Sequence, residues 1–198
     1  MKGKGRYHHG TLRQALIDEA FQVLEKEGLE SLSLRALAAG AGVSKTAPYR
    51  HFADKHELLM TLAAEGFSNL ADALEDSQTE NTREPTDAAT AGVRSLFRAY
   101  LRFATARPAL YKLMFSRLGF SLHSEKCRVN SERALACLVK AVEQARAKGW
   151  RADRDAGSLI TSLWAEVHGL AGLIIDGLLP ESFAQDPQAK EKAMEALL

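Results

Sequence analysis

From Leu12 to Leu24 the apolar residues Leu12, Leu16, Ala20, Val23 and Leu24 recur at three- and four-residue intervals. That spacing lines one face of a 3.6-residue helix. It returns in residues 58 to 74 and 93 to 104, and no convincing strand run appears anywhere in the chain. The expected fold class is all-α, with about nine helices. At 198 residues, 46% of them hydrophobic and 26% charged, the chain is long enough for one sizeable domain or two small ones.

Caps and breakers set the expected boundaries. A first helix covers residues 12 to 27, opened by a Thr11–Gln14 capping box and ended at Gly28. A second covers residues 34 to 40 behind Ser33, and Ala41, Gly42 and Val43 form a tight turn. Ser44 caps a third that ends near Phe52. A fourth starts at Asp54, paired with Glu57 as a capping box, and reaches about Glu75. The polar run 77 to 87, with Pro85, reads as a linker. Further helices are expected over about 87–106, from Pro108, over 123–148 up to Gly149, over 155–178, and from about 187; a loop covers 117–121. The linker separates an N-terminal domain over residues 10–70 from a C-terminal helical domain over 86–198.

Net charge is only +1, but it is unevenly placed. Residues 1 to 17 carry Lys2, Lys4, Arg6 and Arg13 without an acid, and residues 33 to 56 set Arg35, Lys45, Arg50 and Lys55 against Asp54 alone. Charge of this kind usually marks a solvated face, yet two basic patches can also meet a polyanion. The second patch coincides with the stretch SLRALAAGAGVSKTAPYRHFADKHELL, residues 33 to 59. Two short helices joined by a glycine-containing corner describe a helix-turn-helix over residues 33–52. Ala38 permits close approach, Gly42 a left-handed backbone, and Val43 plugs the corner. Pro48, as the fourth residue of the third helix, would lose one hydrogen bond, and a helix that only presents a few side chains tolerates that loss.

This stretch resembles the DNA-binding domain of the TetR/AcrR family of tetracycline-repressor-like regulators. The marks are Ala-Gly-Val-Ser at 41 to 44, Tyr49-Arg50-His51-Phe52, and Asp54-Lys55 before a leucine-rich helix. The sequence departs from the family pattern at Pro48 and Gly40, where a larger residue is usual. By the resemblance, Ser33, Arg35, Lys45, Thr46, Ala47, Tyr49, His51 and Lys55 contact double-stranded DNA. Lys45 and Thr46 are best placed for base edges, Ala47 for a thymine methyl, and Tyr49, His51 and Lys55 for phosphates, while Arg50 is compatible with either. Farther along, Trp164, His168 and Gly169 in LWAEVHGLAGL resemble the Trp-His-Gly motif of one family branch. The resemblance implies a transcriptional regulator, with repression as the expected sense, and a small-molecule effector pocket in the second domain. Phe97, Tyr100, Phe103, Tyr111, Met114, Phe115, Trp164 and His168 are the candidates for it, although each also suits a plain core position.

The segment 158 to 179 approaches membrane-spanning length but holds Glu166, His168 and Asp176, so a buried helix is expected rather than a membrane span. It is apolar on more than one face and carries Ala165, Gly169, Ala171 and Gly172. A homodimeric four-helix bundle would cover it, and two-fold symmetry matches a pseudo-palindromic operator. Cys127 and Cys137, ten residues apart in one helix, stand roughly 15 Å apart and cannot bridge. With no apolar run in residues 1 to 17, a reducing cytoplasm is the expected address. No metal site and no cofactor are expected, because His8 and His9 lack a partner at ligand spacing. An enzyme is not expected either: no nucleophile–base pair or phosphate-binding glycine loop is visible. A DNA-binding protein without any effector is the remaining rival.

Overall fold

A computed structural model of the protein describes residues 9–80, 89–116, 125–180, 188–189 and 192–193. These residues contain α-helices, 3-10 turns and irregular connections, with no strand among them. Among the described residues there are seven α-helices, where nine are expected for the whole chain: α1 (His9–Glu27), α2 (Leu34–Gly40), α3 (Lys55–Glu80), α4 (Ala91–Ala106), α5 (Pro108–Met114), α6 (Glu125–Ala147) and α7 (Ala156–Ile175). Of the two others expected, residues 44–52 hold only a 3-10 helix, Pro48–Arg50. The one from about 187 falls largely outside the described residues, as does the loop at 117–121. A further 3-10 helix, Leu29–Ser31, was not anticipated.

Several boundaries move for identifiable reasons. Helix α1 is already helical at His9, so Thr11 is not its cap, and Gln14 donates to Asp18 at 2.9 Å instead of reaching back. Helix α3 runs to Glu80, through the first residues of the expected linker. Ser77 is buried there, its carbonyl accepting from Ser95 Oγ at 2.8 Å, and Gln78 donates to the Gly92 carbonyl at 3.1 Å. Polar residues that find partners on α4 prolong the helix instead of ending it. Residues 81–88, with Pro85, lie outside the described residues.

Other local signals hold. Ser33 accepts from the Ala36 N–H at 3.1 Å and opens α2. Asp54 accepts from the Glu57 N–H at 2.8 Å while the Glu57 carboxylate reaches back to accept from the Ala53 N–H at 2.6 Å, a capping box whose return bond lands one residue before the cap. Asp155, not among the expected caps, also accepts from the Ser158 N–H at 2.8 Å and opens α7. Cys127 and Cys137 both lie on α6 as free thiols.

The chain forms two compact units: Met1–Gly66 with Ala109–Cys127, and Phe67–Pro108 with Arg128–Leu198. In the first, Leu16, Ile17, Leu37, Phe52, Leu62 and Met114 are almost fully buried. Helix α5 lies close to α3 here: a Cβ added at Gly66 would meet Met114 Sδ at 2.7 Å and Leu110 Cδ1 at 3.0 Å. In the second, α4 packs on α7, burying Val93, Phe97, Leu159, Leu163 and Val167. Arg133 on α6 pairs with Asp72 and Glu75 on α3. Helix α7 is not buried all round as expected: its buried residues, Leu159, Leu163, Val167 and Ala171, mark a single face. It is one helix long and apolar enough, by length and composition alone, to cross a membrane.

Candidate nucleic-acid interface

The corner after α2 is built by backbone geometry. Gly42 adopts φ +66°, its N–H donates to the Ala39 carbonyl at 3.1 Å, and the Val43 N–H donates to the Ala38 carbonyl at 2.9 Å. That pairing closes α2 in a Schellman motif, which needs a left-handed residue at this position. Ala38 is fully buried where the chain turns.

Residues 44–52 do not form the capped α-helix that Ser44 suggested. The Ser44 carbonyl accepts from the Ala47 N–H at 2.9 Å, and its hydroxyl pairs with that of Thr46 at 3.3 Å. Pro48 then opens a single 3-10 turn, its carbonyl accepting from the N–H groups of His51 at 2.9 Å and Phe52 at 3.0 Å. Pro48 is therefore the first residue of its helix, where a missing N–H leaves no bond unmade. Its ring is buried, as is the side chain of Phe52, which is 1% exposed. Proline thus serves as a hydrophobic anchor and a turn initiator rather than as a tolerated defect.

With Pro48 and Phe52 inward, four other side chains of the turn face out. Lys45, Thr46, Tyr49 and Arg50 are exposed, Tyr49 by 49%, and Ala47 and His51 are half-buried. Arg35 is exposed on α2, and Ser33 is half-buried as its cap. The structure brings Lys45, Thr46, Tyr49 and Arg50 onto one turn. It places Lys55 differently: the ammonium donates to the Leu29 carbonyl at 3.0 Å and ties the start of α3 to the 3-10 helix after α1. At Gly40 the absent side chain leaves room for the carboxylate of Glu19, which any larger residue would displace.

Two residues outside the sequence-derived set make long-range contacts in the first unit, one of them at the turn. Arg13, on α1, lies over the Phe52 ring with Cζ 5.4 Å from its centroid. Glu25, near the end of α1, accepts from the N–H groups of Ala109 at 3.2 Å and Leu110 at 2.9 Å. The first belongs to a basic patch visible in the sequence; the second carries no local sequence signal.

The aromatic candidates of the effector site fall into smaller groups. On α4, Phe97 and Tyr100 are buried and Phe103 is half-buried. Tyr100 Oη and His168 Nδ1 share a hydrogen bond at 3.0 Å, and burial holds the His168 imidazole below its ordinary pKa. Tyr111 and Phe115 place their rings 4.9 Å apart, tilted by 51°, and Met114 packs against Gly66. Trp164 stands apart from the buried residues, 36% exposed on α7. No group of three His, Cys, Asp or Glu suited to a metal ion occurs among the described residues.

Comparison with known proteins adds to this geometry. Residues 16–62 match the profile of bacterial regulatory proteins of the tetR family, and residues 93–197 match the tetracyclin repressor-like C-terminal domain. The HTH-type transcriptional regulator YobS of Bacillus subtilis is 24% identical over 165 residues, 83% of this chain and 80% of its own length. The nicotine-responsive transcriptional repressor HdnoR of Paenarthrobacter nicotinovorans is 45% identical over 53 residues, 27% of each chain. A solved structure from Rhodococcus sp. RHA1, of a protein of unknown function, is 33% identical with a TM-score of 0.83 and covers 98% of this chain and 97% of its own. Fold, exposed basic turn and relatives define a DNA-binding transcriptional regulator. With the C-terminal profile spanning more than half of its length, the chain belongs to the tetR family. Regulators of this family bind DNA and typically act as dimers.

Proposed function

We propose that the protein is a homodimeric repressor that reads a pseudo-palindromic operator through a helix-turn-helix at residues 33–52 and leaves it when a small molecule binds the second domain. The carrying observation is the turn from Lys45 to Arg50, where exposed Lys45, Thr46, Tyr49 and Arg50 are mounted on buried Pro48 and Phe52. Rigid mounting of a few polar side chains is what base readout requires, since phosphate contacts position a protein and base contacts specify its site. In this reading Lys45 and Thr46 meet base edges and Ala47 a thymine methyl. Ser33, Arg35, Tyr49, His51 and Lys55 hold the backbone, and Arg50 serves either role.

The domains assigned from the sequence, 10–70 for DNA binding and 86–198 for regulation and dimerisation, form part of the proposal. Helix α3 is the lever, because it belongs to both compact units. The effector would lie among the aromatic residues of the second domain, with the Tyr100–His168 pair as its polar contact. The Trp-His-Gly segment at 164 to 169 would then contribute His168 to the pocket and Trp164 to the dimer face. A ligand-responsive repressor among the relatives supports this reading. The dimer face would be the outward side of α7, joined by α6 or the final helix. A ligand acts by favouring one spacing of the two DNA-binding domains, which shifts the population away from the DNA-competent state.

Binding of genomic fragments, starting with the DNA beside the gene itself, tests the first half. Failure to select any duplex at low salt would remove it. Equal operator affinity with and without a bound effector would remove the switch and leave a constitutive DNA-binding protein.

A further inference from the structure

We infer that Arg13 is an additional contact to the DNA backbone, held ready for a phosphate by the ring of Phe52. The inference rests on the reading that the turn 44–52 faces DNA. Arg13 lies in the second turn of α1, and its guanidinium sits over the Phe52 ring, Cζ 5.4 Å from the centroid. Phe52 ends the reading turn: its N–H donates to the Pro48 carbonyl at 3.0 Å, and its side chain is 1% exposed. The cation is therefore fixed beside the last residue of that turn, three residues before Lys55.

Two facts argue against a purely structural ion. Among the described residues Arg13 has no hydrogen-bond or ion-pair partner, and its guanidinium is held by the ring alone. Neither is an acid available one helical turn away, since Leu16 and Ile17 occupy the positions three and four residues on. Asp18, the nearest acid in sequence, is engaged by the Gln14 amide at 2.9 Å. On a half-buried residue, a guanidinium with five donors and no anion is an incomplete arrangement. Stacking on an aromatic ring leaves the donor fork available, and that fork matches the oxygens of a phosphate. Phosphate fits better than a base edge, because Arg13 sits on the supporting helix and beside the end of the turn rather than on its exposed crest.

The test is the salt dependence of binding to a mixed-sequence duplex, followed by fluorescence anisotropy between about 50 and 200 mM NaCl. Arg13→Gln should weaken binding about tenfold at the low-salt end. It should also make the slope of log K against log salt shallower by about 0.9 for each bound copy. Arg13→Lys, which keeps the charge, should retain the wild-type slope. A weakened Arg13→Gln with an unchanged slope would mean that Arg13 only braces Phe52 and would overturn the inference. Wild-type protein supplies an independent readout that no folding defect can blur: saturating duplex should protect Arg13 from phenylglyoxal, read by mass spectrometry. Undiminished modification overturns the inference as well. Lys45→Ala serves as the reference, because loss of specific binding there with an indifferent Arg13→Gln removes Arg13 and leaves the helix-turn-helix standing. A wild-type protein that binds no duplex removes both.

Discussion

The carboxylate of Glu25 accepts a hydrogen bond from the backbone N–H of Leu110 at 2.9 Å, so a residue of α1 caps a helix 85 positions away. Ala109 donates to the same carboxylate at 3.2 Å. Helix α5 begins at Pro108, and its early N–H groups have no partner within the helix. Glu25→Ala should lower the unfolding free energy by about 1 kcal/mol, as loss of a cap does. Urea denaturation followed by circular dichroism measures it. An unchanged midpoint would show that water replaces the carboxylate without cost.

Lys45 and Lys55 look alike in the sequence and differ in their surroundings. Lys45 is exposed, whereas the Lys55 ammonium donates to the Leu29 carbonyl at 3.0 Å in a half-buried setting. Lys45→Ala should leave stability within about 0.5 kcal/mol and reduce specific operator binding by about 1–3 kcal/mol. Lys55→Met should cost about 1 kcal/mol of stability for the lost hydrogen bond. It should also weaken all duplexes alike, since a phosphate contact carries no sequence preference. Thermal melts beside binding curves on specific and scrambled duplexes separate the two; a specific binding loss at Lys55 would reverse the roles.

What was legible in the sequence was local. The Ser33 cap, the Asp54–Glu57 box and the left-handed Gly42 each depend on residues within four positions, and all three are present. Where a distant partner decides, the sequence pattern misleads. Ser77 and Gln78 look like linker residues until α4 supplies Ser95 and the Gly92 carbonyl. Ser44 looks like a cap, but burial of Pro48 and Phe52 selects a 3-10 turn instead of a longer α-helix. Glu25 gave no sign of its capping role, because its partners are 84 and 85 positions away, and Arg13 showed only as part of a basic patch, not as the cation over Phe52. The one-sided burial of α7 was hidden for a related reason: its composition records every face that must be covered, whether by its own chain or by another.

The Tyr100–His168 pair gives a pH signature. Burial lowers the pKa of the folded His168 imidazole below its ordinary value of about 6.5, so the unfolded chain takes up its proton first as pH falls. Stability is then full above that value, declines as pH drops below it, and levels off once the folded imidazole is also protonated. His168→Gln should flatten this decline relative to the wild type, measured by urea unfolding at a series of pH values on either side of ~6.5. Parallel curves for the two proteins would place the acid sensitivity elsewhere.

The exposed side of α7 supplies the sharpest test of dimerisation, because a protomer by itself has no objection to a larger residue there. A Cβ added at Gly169 meets nothing within 4 Å, and Leu173, one turn on, is 42% exposed. Within the protomer, Gly169→Glu should be neutral or stabilising by up to about 1 kcal/mol, since glycine is a poor helix former. At a self-complementary interface the same change sets two carboxylates against an apolar partner face and opposes association. The variant should therefore keep its helical spectrum, sediment as a monomer where the wild type sediments as a dimer, and lose operator affinity through the loss of the paired reading turns. If Gly169→Glu retains the wild-type mass in sedimentation equilibrium, α7 is not at the centre of the interface.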